Sequence, residues 1–168
     1  MTTDHNHQHC IEQAITRAEK LCELRRQRLT PLRKQVLSLI WQEHKPVGAY
    51  HVLEQLRVGD KRSAPPTVYR AIEFLIAQGL IHRIASLNAF IGCSDPEAPH
   101  LPQFLICQTC QHTEEMCDKR INGLVYQSAH KHGFKPTQQT LEIHGQCANC
   151  QTTPVSVTDN IQTDTVLA

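Results

Sequence analysis

Two pairs of cysteines carry the clearest chemistry in the chain. Cys107-Gln108-Thr109-Cys110 and Cys147-Ala148-Asn149-Cys150 each place two thiols two residues apart. That spacing lets both sulfurs of one tight turn point at a single ion. Two such turns supply four thiolates at about 2.3 Å in a closed tetrahedron. A closed tetrahedron has no position for water or substrate, so it predicts a structural metal. Zinc is favoured over an iron–sulfur cluster because the cysteines occupy two separate turns rather than one clustered run. The 36 residues between the pairs exceed the usual zinc-ribbon gap, but a strand, a helix and a strand fit inside them. A pair of redox dithiols is the alternative reading.

Further potential ligands lie outside these turns: His82, Cys93, His100, His112, Glu114, Glu115, Cys117, Glu142 and His144. They bracket a proline-rich stretch at residues 94–102. A lone histidine or cysteine is more often core than ligand, but several around one hinge are harder to dismiss. A mixed sulfur, nitrogen and oxygen set is compatible with zinc. Ligands drawn from both sides of a hinge would couple metal binding to domain orientation, which is what a sensor needs. The same residues could be drawn as an open hydrolase zinc site with Glu115 as base, but no pocket-forming signal accompanies them. His5, His7 and His9 lie in a polar terminus whose composition reads as flexible.

The elements that must position these residues follow from periodicity. Residues 10–28 show helical spacing, with a basic opposite face. Thr30-Pro31 reads as an N-cap followed by proline at the first helical position, and Lys45-Pro46 ends that helix. A short helix is expected at residues 49–56 and a polar turn at 58–63. Pro65-Pro66 opens a third helix that Gly79 stops. Two short apolar runs, 80–84 and 89–92, joined by Ser86-Leu87-Asn88, predict a hairpin. Three short helices and a hairpin make a winged helix-turn-helix. Beyond the hinge the pattern reads strand (103–107), turn, strand (112–117), helix (119–132), strand (138–144), turn.

The fold class is therefore α+β. The expected organisation is a winged-helix DNA-binding domain at 10–93, a hinge at 94–102 and a small α/β metal-binding domain at 103–150. Residues 1–9 and 151–168 read as flexible tails.

On the third helix Val68, Ala71, Ile72 and Leu75 share the core face, while Thr67, Arg70, Glu73 and Phe74 point away. The Arg70 fork suits the acceptor pair of guanine in the major groove. Thr67 and Tyr69, in the first turn, suit phosphate contacts. Charge agrees: residues 1–80 carry 12 Lys/Arg against 8 Asp/Glu, and residues 81–168 carry 5 against 8. A polyanion should meet the first half. No apolar run approaches the roughly 18 residues of a membrane span, and the N-terminus lacks a secretory pattern. A reducing cytoplasm is the expected location, where eight cysteines favour metal over disulfides.

Several of these residues together resemble the ferric uptake regulator family. They are Arg28-Leu29-Thr30-Pro31-Leu32-Arg33, Pro65-Pro66-Thr67-Val68-Tyr69-Arg70-Ala71-Ile72-Glu73-Phe74-Leu75, Gln78-Gly79-Leu80 and the two cysteine pairs. The similarity covers residues 10–150 and is strongest to the zinc-uptake branch. The iron branch has a His-rich run before the first strand of the second domain, where this chain has Ala98-Pro99-His100-Leu101-Pro102-Gln103. The resemblance implies a homodimer joined through the second domain, a palindromic double-stranded operator and no enzymatic activity. It also implies two zinc ions per protomer, one structural and one regulatory. The regulatory ligands would be His82, Cys93, His100 and Glu115. Tyr50 matches a further DNA-facing position. Glu142 and His144 fall where some relatives place an additional metal. An iron-, manganese- or peroxide-responsive repressor of the same family is the nearest alternative.

Overall fold

The computed structural model describes residues 7–42, 45–58, 64–98, 100–137 and 139–152. Most of the expected polar turn at 58–63 and most of both tails lie outside these residues.

The first helix, α1 (His7–Leu24), begins earlier and ends sooner than periodicity indicated. Its end is set by Arg26, which is left-handed at φ 53°. Gln27 N–H reaches back to Cys22 O and Arg26 N–H to Glu23 O. These two bonds satisfy the last carbonyls and turn the chain out of the helix. Periodicity cannot see this, because nothing in an arginine's type announces a positive φ. In α2 (Pro31–Trp41), the Thr30 side chain accepts from Arg33 N–H, as an N-cap should.

A two-residue strand, β1 (Val47–Gly48), precedes α3 (Ala49–Val58) and pairs with β3. It is too short to leave a periodic signal. Then α4 (Pro65–Ala77) ends at left-handed Gly79 with the same pair of capping bonds. The hairpin β2 (Ile81–Ile84) and β3 (Ala89–Gly92) follows as expected, and the sheet order is β1-β3-β2.

The second sheet, ordered β5-β4-β6, holds β4 (Gln103–Cys107) at its centre. Antiparallel to it runs β5 (Thr113–Met116) and parallel to it β6 (Leu141–Gly145). A parallel neighbour needs a crossover, and α5 (Lys119–Lys131) supplies it, capped by Asp118. The second cysteine pair runs into a short helix, α6 (Ala148–Thr152), where only a turn and then a tail were expected.

The larger core joins α1, α2, α3, α4 and the wing through Leu37, Ile40, Leu56, Ile72, Leu75 and their neighbours. A second, smaller cluster lies apart from it. Ile84 and Ile91 of the wing pack with Phe104 and Ile106 of β4. This apolar contact brings the wing onto the second sheet. Helix α5, by contrast, buries no residue in the single chain.

Candidate metal centres and nucleic-acid interface

Four residues from four elements meet where the wing touches the second sheet. His82 lies on β2, Cys93 directly after β3, His100 before β4, and Glu115 on β5. One donor atom from each falls within 4.8 Å of all the others. His100 Nε2 is 3.5 Å from Cys93 Sγ, 3.3 Å from His82 Nε2 and 2.8 Å from Glu115 Oε1. His82 Nε2 is 3.0 Å from the same carboxylate oxygen. Ligand atoms of a zinc tetrahedron stand about 3.3–3.8 Å apart for bonds of about 2.0–2.3 Å. The sulfur and the nitrogens meet that spacing, and the carboxylate needs to retreat by about half an ångström. Donor types and spacing therefore fit a zinc ion.

The surroundings orient each donor. Ser94 donates its backbone N–H and its hydroxyl to Glu115 Oε2 at 2.8 and 2.7 Å. That leaves Oε1 alone to face the cluster. His100 Nδ1 lies 2.7 Å from Ala98 O, so Nδ1 carries a proton and Nε2 is the nitrogen left to face the cluster. The Phe104 ring packs 5.8 Å from the His82 ring and helps exclude water. Burial pushes the Glu115 carboxyl up, but hydrogen bonds from His82 and Ser94 outweigh it and hold the group at about 2. Cys93 is pushed up to about 12, first by burial and then by the Glu115 charge. A protonated Cys93 beside an ionised Glu115 is the state expected of a zinc ligand set before the ion arrives.

The four knuckle cysteines form the second cluster, again within 4.8 Å of one another. Cys110 Sγ and Cys147 Sγ are 3.7 Å apart, and Cys147 N–H points at Cys107 Sγ from 3.4 Å. That N–H, with the one from Cys110, holds the Cys107 thiol below its usual range. The parallel pairing of β4 with β6 sets Cys107 opposite Gly145 and brings the two turns together. Four sulfurs and no other donor fit a closed zinc site.

The other candidate ligands do not join either cluster. His112 and Glu114 line a groove of about 350 Å³ on the far face of the second sheet, with Leu105 and Ile143. Cys22 is core, and Cys117 is exposed. Glu142 and His144 stand 3.9 Å apart, but the Glu142 carboxylate accepts from Ala85 and Ser86 N–H.

The expected DNA-facing residues are all on the surface of two helices. Thr67, Tyr69 and Arg70 are exposed on α4, and Tyr50 is exposed at the start of α3. Val68, Ala71, Ile72 and Leu75 are buried as the helical wheel required. Phe74 departs from it: half-buried, it packs against the core and carries the Arg33 guanidinium 3.4 Å above its ring. Sequence reasoning missed that stack, along with Ser94 and Phe104. An i, i+3 pattern can flag none of them, because their partners lie on other elements.

The profile of the ferric uptake regulator family matches residues 25–144. The zinc uptake regulation protein of Escherichia coli (strain K12) is 36% identical over 140 residues, spanning 83% of this chain and 82% of that protein. A solved zinc uptake regulator complexed with zinc and DNA is 35% identical, covers 84% of this chain and 95% of its own, and superposes with a TM-score of 0.80. XcZur is solved in two forms. The holo crystal structure is 44% identical with a TM-score of 0.77, covering 83% of this chain and 97% of its own. The apo crystal structure is 41% identical and covers 84% and 98%, but its TM-score is 0.50.

Proposed function

The chain belongs to the ferric uptake regulator family, and from that premise we propose that it is a zinc-responsive DNA-binding repressor of zinc uptake genes. The observation that carries this reading is the meeting of His82, Cys93, His100 and Glu115 across the hinge. Two of the four move with the DNA-reading helix and two with the second sheet. The greater likeness to holo than to apo XcZur supports the same reading, since it is the arrangement of the two halves that the cluster needs.

The protein's own residues do the work. With the four donors held to one centre, the hinge at 94–102 loses its freedom and the Arg70-bearing helix takes a fixed direction. Bound zinc supplies a tetrahedral anchor without redox chemistry. Two protomers then set two α4 helices for successive major grooves of a palindromic operator, roughly 34–36 Å apart. A switch from mostly open to mostly closed requires zinc to prefer the closed form by about 5.5 kcal/mol. Operator and zinc must tighten each other by one factor.

We assign two zinc ions per protomer, one to Cys107, Cys110, Cys147 and Cys150, the other to the hinge cluster. The partner that completes a homodimer would cover α5, whose Leu124 is 65% exposed beside Val125 and Tyr126. Helix-buried apolar residues are what a lone α5 lacks. No described helix is long and apolar enough to cross a membrane. All four donors of each cluster are protein atoms, so neither keeps the open position that a zinc hydrolase needs.

The test is operator binding by fluorescence anisotropy in zinc, iron(II), manganese(II) and nickel(II) buffers. A steep rise with zinc, lost in Cys93→Ser, is the expected result. Binding indifferent to free metal would leave a constitutive DNA-binding protein instead, and a response to iron or manganese would move the chain to another branch.

A further inference from the structure

Glu115 and Glu142 occupy one cross-strand row. In the register of the second sheet, Phe104 of β4 is opposite Glu115 of β5 on one side and Glu142 of β6 on the other. All three side chains therefore emerge on the same face, the one against the wing. Each grips a different part of the wing or of the chain that leaves it. Glu115 holds Ser94, just past β3. Phe104 packs on Ile84 and Ile91. Glu142 reaches the turn at the far end of the hairpin, where Ala85 N–H donates to Oε1 at 2.7 Å and Ser86 N–H to Oε2 at 3.2 Å.

We propose that Glu142 is a metal-independent latch, a positioning residue that holds the wing turn on the second sheet and adds to zinc in closing the hinge. Both carboxylate oxygens are committed to backbone N–H groups, and the side chain is only 11% exposed. A carboxylate meeting two N–H groups forms charge-assisted bonds, stronger than neutral ones. The turn is itself held rigid: Asn88 N–H bonds to Ala85 O, and Asn88 Oδ1 accepts from Arg83. The latch therefore grips a preformed feature rather than a loose loop. A metal between Glu142 and His144 would have to displace these bonds. The latch and the zinc cluster lie at opposite ends of one hairpin. Together they resist rotation of the wing, which a single point of attachment would allow.

The inference rests on the zinc-sensor reading for its consequence, but its structural part can be tested apart from it. Residue-resolved hydrogen exchange is measured on the full-length, zinc-loaded wild type, Glu142→Ala and Glu142→Gln, alongside the zinc half-point of operator binding. In Glu142→Ala the Ala85 and Ser86 amides each lose a charge-assisted bond, and each should exchange roughly tenfold faster, while the β2–β3 ladder amides keep their rates. The zinc half-point should rise by a similar factor, with zinc at the four cysteines retained. Glu142→Gln keeps the shape and one acceptor oxygen, so it should fall between the two and guards against a misfolded alanine variant. Unchanged amide exchange in both variants, or faster exchange with an unmoved half-point, overturns the latch. If wild-type binding ignores zinc while the exchange contrast persists, it is the sensor reading that fails, and the latch stands as a zinc-independent domain contact.

Discussion

Gly92 lies directly beneath the indole of Trp41, so close that a Cβ on it would sit 2.2 Å from Trp41 Cε2 and 2.3 Å from Nε1. No side chain fits there without moving the ring. The contact ties α2 to the last residue of β3, and the next residue is Cys93, one of the four hinge donors. Packing between α2 and the wing thus sets where the sulfur of the proposed hinge zinc site stands. Gly92→Ala should overpack this contact and cost about 1–3 kcal/mol of stability. It should also weaken zinc binding at the hinge, because Cys93 shifts with β3. Urea unfolding and zinc titration of the variant check this; an unchanged midpoint would mean that Trp41 swings away freely.

The two clusters should separate by mutation. Cys93→Ser should leave a folded protein that retains one zinc per protomer and no longer responds to added zinc. Cys147→Ser should instead lose cooperative unfolding of the second domain, since that small unit depends on metal for much of its stability. Metal content by mass spectrometry and circular dichroism on heating distinguish the cases. Equal loss of structure in both variants would refute the division into structural and regulatory sites.

Proton competition gives a pH dependence of definite sign. Cys93, raised to about 12, must shed its proton to bind zinc. Glu115, held at about 2, is already ionised at any working pH and contributes no slope. Hinge zinc affinity should therefore rise with pH, by about tenfold per unit between roughly pH 7 and 9. His100, where burial lowers the pKa but the Ala98 carbonyl and Glu115 together raise it further, should steepen the fall towards lower pH. Competition against a chelator of known affinity reads the slope directly. A flat profile would imply that Cys93 does not bind as the thiolate.

Arg70→Lys should keep the charge but lose the planar fork. Discrimination between operator and unrelated DNA should fall by about 1–3 kcal/mol per contacted base pair. Binding to unrelated DNA, and the number of counterions released, should change little. Anisotropy titrations at several salt concentrations measure both, and uniform weakening on all sequences would recast Arg70 as a phosphate contact.

Much of this molecule is written in local signals. Thr30-Pro31, Pro65-Pro66 and Gly79 mark helix ends because capping needs only neighbours in sequence, and they were legible for that reason. The two cysteine pairs were equally plain, since two-residue spacing forces a knuckle whatever surrounds it. The wing hairpin and the buried face of α4 also follow from periodicity alone.

The hinge donors were a different matter. Residue types left nine candidates around residues 94–102, and only a family resemblance narrowed them to His82, Cys93, His100 and Glu115. What brings those four together is strand register: Phe104 opposite Glu115, and the hairpin laid across that face. Register also brought the Glu142 carboxylate to the backbone N–H groups of Ala85 and Ser86. The Arg33 stack on Phe74 and the clearance above Gly92 likewise belong to packing between distant elements. The sequence by itself determined which turns, helices and thiol pairs could form, because those depend on residues within one turn of each other. Only the tertiary structure decided which carboxylate joins the cluster of His82, Cys93 and His100 and which faces a peptide N–H, because that depends on sub-ångström distances between segments tens of residues apart.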